Sequence, residues 1–135
     1  MMPYVVGVVL ALVVSFYARF AGFERDRAFY PTVLVVVATY YGLFAVMGGS
    51  LRELATETVV IAGFMALAAV GFRRNLWLVA ASLVGHGVFD FWHAQLIANA
   101  GVPSWWPAFC MAYDVTAGAY LALIIRTARV GQRAA

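Results

Sequence analysis

Apolar stretches long enough to cross a bilayer leave a chain few options, because backbone groups in hydrocarbon must satisfy one another and a helix does so within one segment. A handful of charged clusters cut this 135-residue sequence into five such stretches: Tyr4 to Gly22, Ala28 to Gly48, Leu54 to Phe72, Leu76 to Ala98 and Trp105 to Ile125. Each approaches the roughly 20 residues a helix needs to span the hydrocarbon. The expected fold is all-α: a polytopic membrane protein, one compact bundle of five transmembrane helices over residues 1–135, with connections too short for a soluble module. Composition agrees, at 65% hydrophobic and 11% charged, where soluble domains run about 45–50% and 25%. No Lys or Arg precedes the first stretch and no small-residue cleavage site closes it, so it reads as a retained span and not a signal peptide.

Every basic residue is an arginine, and their placement orients the bundle. Five alternating spans put Arg19, Arg25, Arg27, Arg73, Arg74, Arg126, Arg129 and Arg133 on one side and Arg52 alone on the other. By the positive-inside rule the N-terminus is expected outside and the C-terminus in the cytoplasm. Arginines at span ends meet anionic headgroups, which accounts for the net charge of +3 without a nucleic-acid partner. The absence of lysine suggests a GC-rich bacterial genome, hence a multi-pass protein of the cell membrane, the bacterial inner membrane. The single cysteine, Cys110, excludes an intrachain disulfide and any cysteine-only metal motif.

Two helix starts are legible. Ser50-Leu51-Arg52-Glu53 has the form of a capping box, and Ser104 followed by Pro107 predicts an N-cap and first turn for the fifth helix. Trp105 and Trp106 stand at that start, where an interfacial aromatic belt belongs.

Against this apolar background the ionisable residues within the spans stand out. His86, Asp90 and His93 follow at i, i+4 and i+7, one stripe of a helix. Each costs roughly 2.5–3.5 kcal/mol at membrane depth by insertion scales, so each needs a partner or a use. Counting rise from the expected outer ends puts Glu57 of the third span, Asp90 and His93 of the fourth, and Cys110, Tyr113 and Asp114 of the fifth at about 8–15 Å depth, with His86 near 18 Å. Tyr40 and Tyr41 of the second span reach a similar level. One polar pocket in the outer half, walled by helices two to five, is the expectation. Gly85, Gly87 and Gly118 would let helices four and five approach closely.

Three chemistries and one bland account fit such a pocket. A divalent metal (zinc, iron or manganese) would take ligands from His86, Asp90, His93, Glu57 and Asp114, Asp90-x-x-His93 having the carboxylate-x-x-His spacing of metal-binding bundles. Without metal, Asp90, His93, Asp114 and Glu57 would be catalytic acid–base groups. Tyr113, Trp92, Tyr40, Tyr41 and Cys110 would then wall in a membrane lipid or lipophilic small molecule, fatty, isoprenoid or sterol-like, arriving sideways from the bilayer. A third reading is a proton- or cation-coupled transporter or a small-ligand binder, for which a homo-oligomer would be needed to build a pathway. The bland account pairs His86 with Asp90 and His93 with Glu57 as structural glue between helices.

Overall fold

The computed structural model describes residues 1–127, and its regular structure is all helical. Five α-helices follow one another: α1 (Met2–Ala21), α2 (Phe29–Met47), α3 (Leu51–Arg73), α4 (Leu76–Leu96) and α5 (Trp106–Arg126), with one 3-10 turn, Phe23–Arg25, between the first two. Four of them, α1, α2, α3 and α5, are long and apolar enough to cross a membrane. The exception, α4, has the length but carries Ser82, His86, Asp90, His93 and Gln95, which dilute its hydropathy. Arg129 and Arg133, counted above toward one end of the bundle, lie outside the described residues.

Local chemistry sets the helix ends. Gly22 closes α1 in the left-handed region at φ 82°, which a residue without a Cβ adopts at no steric cost. Ser50 caps α3 by accepting from the Glu53 amide at 3.2 Å, and Asn75 caps α4 by accepting from Trp77 N at 2.9 Å. The start of α5 differs from the expectation for Ser104. Trp105 occupies the N-cap position without a side-chain cap, because a backbone turn already holds the Trp106 amide on the Pro103 carbonyl at 2.9 Å. Pro107 lies in the first turn, where its missing N–H costs nothing. Helix α4 stops two residues before the expected Ala98, with Ile97 already extended.

Packing follows from small residues. The buried stripe of α1 is Gly7, Ala11, Ser15 and Ala18, which lets α1 lie close against α5; a Cβ on Gly7 would run into the Phe109 carbonyl. Helices α4 and α5 form the central seam. A Cβ on Gly87 would come within 3.0 Å of Met111 O, and one on Gly118 within 2.9 Å of Ala80 O. The third glycine singled out above, Gly85, faces open space. Helix α2 packs on α3, α3 on α4, and α2 touches α4 more lightly, which completes the bundle. Large apolar side chains such as Phe16, Phe20, Val59 and Leu123 point outward, as they do on a surface that meets acyl chains.

Candidate functional site

All three polar residues of the α4 stripe face inward, His86 and His93 at 1% exposure and Asp90 at 0%. They turn toward the seam because the neighbouring helices offer the polar partners there: Glu57 on α3 and Cys110 and Asp114 on α5, each at 1% exposure or less. Six polar side chains thus leave the surface together, where an isolated one would be expelled.

The deeper group lies between α4 and α5. His86 Nδ1 is hydrogen-bonded to Asp114 Oδ2 at 2.6 Å, and the Cys110 thiol donates to the same oxygen at 3.6 Å. Asp90, one turn along from His86, holds Oδ2 at 3.5 Å from His86 Nδ1. One donor atom from each of His86, Asp90, Cys110 and Asp114 lies within 4.8 Å of all the others. Both carboxylate oxygens of Asp90 and Oδ1 of Asp114 are buried without a hydrogen-bond partner in the protein. Among the described residues no arginine pairs with either carboxylate. Phe64 of α3 covers the outside of the group, edge-on to the His86 ring at 4.7 Å between centroids.

The second group joins three helices and a loop. His93 Nε2 donates to Glu57 Oε1 at 2.8 Å, and Asn99 Nδ2 donates to the same oxygen at 2.8 Å and to the Tyr41 carbonyl at 3.1 Å. Asn99 Oδ1 in turn accepts from Gly101 N. The Tyr41 ring stacks on His93 at 4.0 Å between centroids and 26° between planes, and reaches down toward His86 at 6.2 Å. Tyr41 and Phe89 both lie against the two histidines, Phe89 at 6.4 Å from His86 and 5.6 Å from His93 between centroids.

The expected residues are therefore sorted into two groups. His86, Asp90 and Asp114 come together with Cys110, which had been expected only as a wall. Glu57 and His93 form a separate pair above them. The four clustered donors come from α4 and α5 alone, not from helices two to five. His86 bonds to Asp114, not to the Asp90 of the bland account, because one helical turn along α4 leaves Asp90 at the longer distance. Tyr40 and Tyr113 line a neighbouring cleft together with Cys110. Trp92 stands on the outer surface at 51% exposure, edge to face with Phe91. Its position two residues from Asp90 turns it about 200° round the helix, away from the site.

Asn99 and Phe64 belong to the site and carried no signal in the sequence. Asn99 follows the end of α4 in a segment without periodicity, and its role depends on how the loop folds back onto α2 and α3. Phe64 is one apolar residue among many on α3. Cys110 did carry a signal, since its i, i+4 relation to Asp114 places both on one face.

The chain matches no family model, no curated protein and no solved structure.

Proposed function

We propose that the protein is a metal-dependent membrane enzyme acting on a lipophilic substrate, with His86, Asp90, Cys110 and Asp114 holding one divalent ion. The observation that carries this reading is Asp90: wholly buried, with two carboxylate oxygens that complete no hydrogen bond although the Tyr41 hydroxyl and the Cys110 thiol lie close by, beside an imidazole, a thiol and a second carboxylate. A second buried carboxylate next to Asp114 is costly unless a cation joins them. A nitrogen, a sulfur and two oxygens form a mixed set suited to zinc, with iron or manganese less favoured by the thiol. Ligands on one tetrahedral zinc stand about 3.3–3.8 Å apart, given bond lengths near 2.0–2.3 Å. The donors within 4.8 Å need only small side-chain movements to reach that spacing, and the His86–Asp114 hydrogen bond would open as the ion replaces its proton.

With four protein donors in place, a bound ion would polarise a carbonyl or activate a water only by taking on a fifth ligand, in a site closed to bulk solvent. The protein's own share would be to hold the imidazole and the two carboxylates together on the α4–α5 seam, to keep water out with Phe64 and Tyr41, and to accept or return a proton at Asp90 Oδ1. In this reading α4 crosses the membrane with the other four helices. The six described arginines at the end carrying the Glu24 and Arg73 turns and the C-terminus of α5 lie in the cytoplasm, against Arg52 outside. The site then lies in the outer half of a bacterial inner membrane.

Metal analysis of the full chain, purified in detergent without added metal, tests the proposal. About one ion per chain is expected in the wild type, with loss in His86→Ala and Asp114→Asn and retention in His93→Ala. Wild-type protein without stoichiometric metal, or a His86→Ala variant that keeps it, overturns it. The short 2.6 Å His86–Asp114 bond favours a second reading, a metal-free acid–base pair. It would be adopted on that outcome.

A further inference from the structure

A cleft of about 390 Å³ opens between α1, α2 and α5, within the roughly 300–1,000 Å³ usual for small-molecule sites. Leu10 and Val14 line it from α1, Val33, Val36 and Val37 from α2, and Phe109 from α5. Helix α1 packs on α5 and α2 on α3, while α1 and α2 share no extended contact. The cleft therefore opens sideways between α1 and α2, where a molecule dissolved in a bilayer reaches it without passing through water. From Phe29 to Tyr40 its α2 wall rises roughly 16 Å, about half of the ~30 Å hydrocarbon core.

The two ends of the cleft differ in polarity. At the Phe29 end the one hydroxyl, that of Thr32, is already committed to the Ala28 carbonyl at 2.8 Å. At the other end Cys110 belongs to both the cleft and the polar centre, its thiol donating to Asp114. Trp106 lines the same end and packs on Tyr40 at 5.0 Å between centroids. Its buried indole Nε1 has no acceptor in the protein, and a buried indole N–H ordinarily finds one. A long apolar channel whose far end is lined by Tyr40, Trp106 and Cys110, the last a thiol next to a buried histidine, has the polarity profile of an amphiphile.

We propose that this cleft is the chain-binding subsite of the His86/Asp90/Cys110/Asp114 centre and takes a single-chain fatty amphiphile. The chain lies between α1 and α2, and its terminal oxygen lies at the end lined by Tyr40, Trp106 and Cys110. This deepens the reading of the polar centre and rests on it for what happens to the head of the molecule. Binding of the chain does not itself require the ion.

A long-chain fatty alcohol with a mid-chain diazirine, photolysed with the full chain in lipid nanodiscs and mapped by peptide mass spectrometry, provides the test. Labelling at Val14, Val33 and Val36 is expected to exceed that at the exposed α3 residues Val59 and Val70 by about tenfold, corresponding to about 1.4 kcal/mol of preference. Val33→Trp and Val14→Trp fill the cleft from opposite walls, so a folding defect in one leaves the other as the readout. Each should bring cleft labelling down to the α3 level. Equal labelling of cleft and α3 in the wild type, unchanged by either tryptophan, means bulk lipid only and overturns the proposal. His86→Ala separates the two readings: cleft labelling that persists there while metal is lost supports both. Metal without selective labelling removes the chain subsite alone, and selective labelling in a wild type without metal removes the ion alone.

Discussion

His86 and His93 lie two turns apart on one helix and are equally buried, yet their surroundings are of opposite kinds. His93 sits in the more fully bonded circuit: Glu57 Oε1 accepts from it and from Asn99, Asn99 also donates to the Tyr41 carbonyl, and the Tyr41 ring stacks on the imidazole, which leaves Glu57 Oε2 as the one spare carboxylate oxygen. This ties α2, α3, α4 and the loop after α4 together. His86 sits in an open one, where Asp114 serves both the imidazole and the thiol while Asp90 offers oxygens that nothing in the protein takes up. Residue type and burial are the same for both; what separates them is how many buried carboxylate oxygens are left over, three around His86 and one beside His93.

The comparison breaks most violently at the seam that holds the open group together. Gly87→Leu would drive a side chain into Met111 O and the Asp114 Cβ, at 3.0 and 3.3 Å from the first added carbon. Overpacking of this kind costs about 3 kcal/mol or more where backbone cannot yield. The expected result is loss of the folded protein in thermal denaturation or size-exclusion chromatography; a variant with unchanged melting and intact metal would show that α4 and α5 do not meet as described.

Asp90→Ala sharpens the contrast from the open side. Removing a buried carboxylate that no protein donor satisfies is expected to leave the metal-free protein as stable as before or more so. Metal affinity should fall by more than about 100-fold, past the 10–100-fold typical of an outer partner. Chelator-stripped protein, melted alone and titrated with zinc, reads both quantities. A marked drop in stability with affinity unchanged would make Asp90 a structural residue.

The smallest effect belongs to the closed side. A double-mutant cycle over Glu57→Gln and His93→Gln, measured by denaturation in mixed micelles, should give a coupling of about 0.6 kcal/mol and no more than ~1.7, the range for side-chain hydrogen bonds between membrane helices. Zinc affinity should be the same across the four proteins. A change in affinity as large as that of Asp90→Ala would merge the two groups into one site.

Much of the architecture was legible in the residue order. The apolar run lengths gave the helices to within a few residues, and Ser50 caps α3 as expected, although the Ser50 amide goes to the Ala45 carbonyl and not to the Glu53 side chain a full capping box would use. Gly87 and Gly118 were recognisable as points of close approach, whereas Gly85 looked the same in the sequence and faces open space. The inward stripe of α4 was readable because a helical period of 3.6 leaves only one face for His86, Asp90 and His93. Height along the bundle was readable too, since rise per residue is fixed, and it brought Glu57 and Asp114 near the right level. Height alone made them look like one pocket.

What the amino-acid order determined by itself was local and additive: which segments are helices, where they are capped, and which side of each one is polar. These depend on hydropathy and hydrogen bonds within a turn or two. The tertiary structure alone decided which carboxylate each imidazole meets, across separations of 28 residues for His86–Asp114 and 36 for His93–Glu57. It also decided that Cys110 joins the donors and that Asn99 completes the other circuit. Those choices follow from the rotation of each helix about its axis and from how closely α4 and α5 approach at Gly87 and Gly118. Both arise when all five helices pack at once, and no single segment specifies either.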